Sequence, residues 1–311
     1  MLGKTANGLY WMYRYIERAE NSSRLIETGQ RIGLTRSGSM EWGSIMQTAG
    51  VAEGYAAHRG EITQDQAVDW MLRDKDNFSS VLCSIGEARQ NARMVRTALT
   101  TDVWEATNAC YMRSKEMLAR KVSERDLPNT LKAIRQRTAL VRGATHGTML
   151  RNDIYDFARI GTFLERADNT ARILDVKYYV LLPSVFSVGS SIDNVQWETI
   201  LRSVSASGGF RMAFGGQVNA RDIAQFLILD RRMPRSLYFC VSKIRDNLNY
   251  LAADYDTRTT ANDIADNLAQ RLSNHDIDQI FEYGLHQYIQ SILGLIGELG
   301  QQIEQDYRFY V

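Results

Sequence analysis

Apolar residues recur along nearly the whole chain at the three-to-four-residue spacing of a helix. The pattern predicts a first helix over about residues 5–30 and shorter ones near 42–57 and 64–73. Thr63, with Gln66 three residues on, has the form of a capping box for the third of these. Further helices are expected near 79–98, 102–121 and 129–147, with Thr101 and Asp126 as candidate caps or turns. A long helix from about 153 to 181 stops ahead of Pro183, since the residue before proline disfavours the helical region. Asn152 or Asp153 would cap its start. After a Ser/Gly/Val connection at 184–192, helices are predicted near 194–205, 220–229, 234–255, 261–273 and 277–308. Tyr178 to Leu182 is the best strand candidate, and a helix end suits it better. Ser205 to Gln217, with four glycines, reads as a loop between helices or over a ligand. The expected fold is all-α: one helical domain over 1–311, a bundle of ten or more helices with long N-terminal, central and C-terminal members.

Composition agrees with this picture and narrows the function. Three prolines in 311 residues leave room for long helices, and 44 % hydrophobic residues supply a substantial core. A formal net charge of +1 gives no support for nucleic-acid binding, which needs a basic stripe or domain. Cys83, Cys110 and Cys240 are scattered and form no CxxC pair, so a reducing cytoplasm is the simplest setting. No signal peptide or membrane span is expected: the apolar run from Ile289 to Ile303 is interrupted by Gln290, Glu298, Gln301 and Gln302.

The candidate chemistry lies in a segment that occurs twice. Glu17–Glu27 reads ERAENSSRLIE and Glu165–Asp175 reads ERADNTARILD, with five identities at an offset of 148. Glu20, Ser22, Leu25 and Glu27 become Asp168, Thr170, Ile173 and Asp175. Outside this segment the halves show no obvious similarity. At 100° per residue, Glu17, Asn21 and Arg24 lie within about 60° on one helix face, and Tyr10 and Tyr13 extend the stripe. Glu165, Asn169 and Arg172 repeat it. Ile16, Ala19, Ser23 and Ile26, with Leu164, Ala167, Ala171 and Leu174, form the packing faces, and the two alanines admit a neighbouring helix closely.

Three arrangements fit a carboxylate, an amide and a guanidinium at i, i+4 and i+7. One is a solvated row of contacts worth a few tenths of a kcal/mol each. Another is an internal network in which Glu of one helix faces Arg of the other. The third is a polar site whose arginines, Arg18, Arg24, Arg166 and Arg172, grip an anion while Glu17 and Glu165 orient them, bind an amine or act as general bases. Adjacent arginines lower a carboxyl pKa, which argues against the base.

Other constellations add less. Asp230-Arg231-Arg232-Met233-Pro234-Arg235 stands where a helix should begin, with Pro234 suited to the first helical position. Cations there oppose the helix dipole, so Arg231, Arg232 and Arg235 call for a carboxylate or phosphate nearby, from a ligand or from Asp230 or Asp222. Arg89, Arg93 and Arg96 form a basic helical face. The four histidines are isolated, with no HExxH or helical Glu-x-x-His pair on the motif helices, so no metal or other cofactor is expected. P-loop and G-x-S-x-G patterns are missing.

Three segments carry a family resemblance: TANGLYWMYRYIERAENSSRLI at 5–26, YDFARIGTFLERADNTARILDVKYYVLLP at 155–183 and FLILDRRMPRSLYFCV at 226–241. In this order they resemble the bacterial alpha-E domain family, and the similarity spans essentially the whole chain. The resemblance implies a component of a system that makes or modifies peptides or other amides. Its implied partners are a circularly permuted ATP-grasp ligase, which would bind the ATP, and in some systems a transglutaminase-like protein and a proteasome-like peptidase. The expected role is an accessory protein holding a peptide-like or anionic small ligand; an amide-bond enzyme using a Glu base and a purely structural partner are the alternatives. A homo-oligomer is compatible with the sequence.

Overall fold

The computed structural model describes residues 1–33, 39–180, 191–215 and 218–310, and the side chains of all of these except 32–33, 39–41, 176–180 and 191–196. Fifteen α-helices and one 3-10 turn make up the described residues, with no strand among them. The all-α expectation holds. None of these helices is long and apolar enough to cross a membrane. The three long helices are α1 (Gly3–Gly33), α8 (Asp153–Val180) and α15 (Leu285–Asp306).

The chain divides into two compact units: Met1–Glu165 with Tyr307–Val311, and Arg166–Asp306. The division falls inside α8, between the Glu and the Arg of the second motif.

In the first unit, α1 is the central helix. It packs on α5 (Val81–Met94) and α7 (Leu127–Thr148), and α6 (Thr101–Met117) packs on both of those. Burial extends around most of α1: Leu9, Tyr10, Met12, Tyr13, Ile16, Glu17, Ala19, Glu20 and Ile26 are all within 2 % of complete burial. The expected polar stripe of α1 is therefore core. Gly161 of α8 lies against the backbone of Tyr10, where a Cβ would overlap the Tyr10 carbonyl oxygen. Ser80 and Thr100 cap α5 and α6 by accepting from the amides of Cys83 and Val103. Thr63 caps α4 (Gln64–Leu72) through Gln66 N, and Asn152 Oδ1 accepts from Tyr155 N at the start of α8.

The second unit repeats much of this order. α11 (Ala220–Ile228) stands for α4, α12 (Leu237–Asp254) for α5, α13 (Thr260–Asn274) for α6 and α15 for α7. The turn before α5 is repeated before α12: Asp74 Oδ1 accepts from Asp76 N as Asp230 Oδ1 does from Arg232 N, and Ser236 caps through Phe239 N as Ser80 does through Cys83 N. Buried positions 127, 131, 134, 138, 141 and 145 of α7 recur on α15 at a constant offset of 158. The repeat thus reaches well beyond the Glu-Arg segment. It escapes the eye in sequence because only burial and cap positions are kept.

Several boundaries differ from expectation. Residues 42–57 form two helices, α2 (Ser39–Thr48) and α3 (Ala52–His58), with Gly50 at φ +69° between them. The segment 277–308 likewise breaks at Gly284, φ +102°, into α14 (Ile277–Tyr283) and α15. The helix expected from 234 begins only after Ser236, whose hydroxyl caps it, so Pro234 lies in the preceding turn. Most of the expected loop at 205–217 is a helix, α10 (Ser207–Phe214), which follows α9 (Ser191–Ser203). Phe210 and Phe214, one turn apart, stack at 5.1 Å and meet Phe226 edge-on, and that aromatic contact outweighs the two glycines inside the helix. The connection at 184–192 lies largely outside the described residues, as do Leu181 and Leu182 of the strand candidate.

Candidate functional site

The first Glu-Arg copy builds two linked clusters inside the first unit. At the first, Glu165 of α8 accepts from Arg14 Nε at 2.9 Å, from Arg18 Nε at 2.6 Å and from Arg18 Nη2 at 3.1 Å. Both carboxylate oxygens are engaged by guanidinium groups of α1. Burial on its own would raise the Glu165 pKa; Arg18 and Arg14 outweigh it and hold the group down at about 2. In return, Glu165 outweighs desolvation at Arg18 and keeps its pKa raised. Arg14 also donates from Nη1 to the Tyr10 hydroxyl at 3.2 Å.

The second cluster centres on Glu20, whose side chain is 1 % exposed. It accepts from Arg24 Nη2 at 2.7 Å, from the Thr138 hydroxyl at 3.0 Å and from Arg142, the last two on α7. Arg142 Nη1 also lies 3.7 Å from the buried carboxylate of Glu17. Two turns along, Arg135 of α7 pairs with Glu27 at 3.0 Å. Arg135, Thr138 and Arg142 share one face of α7, which explains how that helix answers a run of acids on α1. Tyr13, above them, pairs its hydroxyl with Thr145 and lies 3.6 Å from the Met149 sulfur; burial pushes its phenol well up.

The second copy is built differently within its own unit. Arg172 donates to Asp168 at 2.7 Å, the same i,i+4 pair as Arg24 with Glu20, but its side chain is 43 % exposed. Arg166 donates to the Pro234 carbonyl at 3.3 Å and the Thr170 hydroxyl to the Arg235 carbonyl at 2.9 Å, fastening α8 to the turn before α12. Asp175 takes His286 Nδ1 at 2.5 Å and Gln290 Nε2 at 2.7 Å, both from α15. Asn169 is half-buried, whereas Asn21 of the first copy is 3 % exposed.

Of the expected site residues, the first unit holds Arg18 against Glu165 of α8 on one side of α1, and Glu17 and Arg24 in the Glu20–Arg142 cluster on another, with Asn21 buried. Glu of the second motif does face Arg of the first, through Glu165 and Arg18. Arg24 and Arg172 instead pair within their own helices. At the 230–235 turn, Arg231 lies over the Tyr238 ring at 5.1 Å, Arg232 is 84 % exposed and 4.0 Å from Asp230, and Arg235 is buried. Sequence reasoning missed Arg14, Glu20, Thr138 and Arg142. The recurring acid–arginine pair at i,i+4, Glu20/Arg24 and Asp168/Arg172, was a signal that could have found Glu20.

No disulfide joins the three cysteines, and burial pushes the Cys110 thiol up to about 12. That leaves Cys110 poorly suited to act as a nucleophile.

A family model matches residues 1–308 and is described as a predicted alpha-helical domain with a conserved ER motif, Alpha-E. The chain belongs to this family. No curated protein and no solved structure matches it.

Proposed function

We propose that this Alpha-E protein is a helical accessory component of an ATP-grasp amide-ligase system, holding a peptide-like or anionic ligand instead of making or breaking an amide bond itself. The observation that carries this reading is the state of Glu165. A general base needs a lone pair within reach of the substrate and a pKa near the working pH. Glu165 has both oxygens taken by Arg14 and Arg18 and a pKa held at about 2. Glu17 is completely buried beside Arg142. Such carboxylates fix arginines in place, and arginines so fixed are suited to binding oxyanions. The ligase would supply ATP chemistry; a transglutaminase-like protein and a proteasome-like peptidase are further proposed members of the system.

The test is reconstitution. A circularly permuted ATP-grasp ligase is purified with and without this chain and its ATP turnover measured. Stable association and a change in turnover are expected. Amide hydrolysis or synthesis by the chain alone, abolished by Glu17→Gln in a folded protein, would instead favour the enzyme. Association lost only when the variant unfolds would leave a purely structural partner.

A further inference from the structure

One face of α1 is unlike the rest of that buried helix. Trp11, Arg14, Tyr15 and Arg18, at i, i+3, i+4 and i+7, are all half-buried while their neighbours Met12, Tyr13, Ile16 and Glu17 are core. The two rings lie together, with centroids 5.4 Å apart and planes tilted by 36°. Each carries a guanidinium: Arg14 lies 4.5 Å from the Trp11 centroid and Arg18 lies 5.4 Å from that of Tyr15. Underneath, Glu165 grips both arginines.

Two properties of this assembly point to a ligand. First, Arg14 and Arg18 both hold Glu165, so the face presents two guanidinium groups around one carboxylate. Second, Arg18 spends Nε and Nη2 on Glu165, while its Nη1 makes no hydrogen bond among the described residues and its side chain is 25 % exposed. The guanidinium plane is thus fixed by two charge-assisted bonds, with donors left over beside an aromatic shelf. That combination is preorganised: the entropy of ordering a long arginine is already met by the fold.

We propose that the Trp11–Arg14–Tyr15–Arg18 face binds a small ligand carrying an oxyanion, carboxylate or phosphate, next to a planar group. The oxyanion sits against Arg18 Nη1 and the planar group against the rings of Tyr15 and Trp11. This site names a ligand class for the binding role above but needs no ligase, so the two stand or fall separately.

Calorimetric titration of the whole chain with benzoate, phenyl phosphate and uncharged benzamide tests it. Binding of at least one anion, about tenfold or more tighter than benzamide, is expected from the charge-assisted contact. Whichever anion binds more tightly identifies the oxyanion source. Trp11→Leu, which keeps bulk at a half-buried position, should weaken phenyl phosphate several-fold while leaving the circular dichroism spectrum and Tm near wild type. Arg18→Lys should reduce the preference for the anion over benzamide. Equal affinity for benzamide and the anions, no binding of either anion at millimolar concentration, or titrations unchanged in both folded variants would overturn the site. Retained anion binding with no ligase association would leave this site standing and remove the ligase role.

Discussion

The two copies of the Glu-Arg segment share five of eleven residues, yet they sit in different surroundings. In the first copy, Glu20 is an almost completely buried carboxylate with Arg24, Arg142 and Thr138 around it. In the second, the corresponding Asp168 pairs with Arg172 one turn along the same helix, and their side chains are 26 % and 43 % exposed. The difference comes from the helix opposite. α7 presents Arg135, Thr138 and Arg142 to α1, whereas the matching positions of α15, at the offset that aligns their buried ladders, are Leu293, Ile296 and Gly300. The same motif therefore does different work: in one unit it is the polar core, and in the other it is a half-buried pair, two tethers to backbone carbonyls and an Asp175 held by His286 and Gln290. A motif specifies which groups are available; the neighbouring helix decides what they are worth.

The largest effect should come from Glu20→Gln. Removing one partner of a buried ionic cluster costs about 3–5 kcal/mol, because Arg142 and Arg24 keep their charges without an acceptor of equal strength. Urea unfolding at neutral pH measures it, and a loss below about 1 kcal/mol would erase the distinction between the copies.

Glu165 gives the next largest effect, read by pH. Its folded pKa lies near 2 against an ordinary 4.5, so its contribution is fully present above pH 4.5 and is lost as the pH falls toward 2. Two and a half pKa units correspond to on the order of 3 kcal/mol. Glu165→Gln should flatten that part of the acid limb; an unchanged slope between pH 4.5 and 2 would mean that other carboxylates carry it.

Gly161→Ala probes the close approach of α8 to α1. Alanine favours a helix, but its methyl would overlap the Tyr10 carbonyl, and overpacking of this kind costs about 1–3 kcal/mol. A Tm at or above wild type would show that the two backbones separate freely.

Asp168→Asn should do least. An exposed i,i+4 pair contributes a few tenths of a kcal/mol, so its unfolding midpoint should stay close to wild type. Set beside Glu20→Gln, a comparable loss at both positions would break the comparison outright.

Much of the architecture was legible in the chain. Apolar spacing at helical period placed α1, α8 and the helix pair α12–α13, and the caps at Thr63 and Asn152 marked real starts. The breaks at Gly50 and Gly284 were missed because neither glycine interrupts the apolar period; only a positive φ reveals them. α10 was missed for the opposite reason: Gly208 and Gly209 argue for a loop, and three phenylalanines that meet only after folding override them. At the site, Glu165 and Arg18 are legible as candidates; Glu20 shows only through its repeated i,i+4 pairing with arginine, and nothing local distinguishes Arg14 from a solvated helix face.

By itself the sequence determined an all-α chain carrying two matched turns of acid, amide and arginine, because helical period is a property of consecutive residues. Tertiary structure alone decided which of those charges are buried and with whom. Thr138 lies 118 residues from Glu20, and Arg14 lies 151 from Glu165. Burial and charge pairing are set by neighbours in space, and a carboxylate that would be an ordinary surface group in an isolated helix becomes, between two arginines in a core, a fixed anion held at about pKa 2.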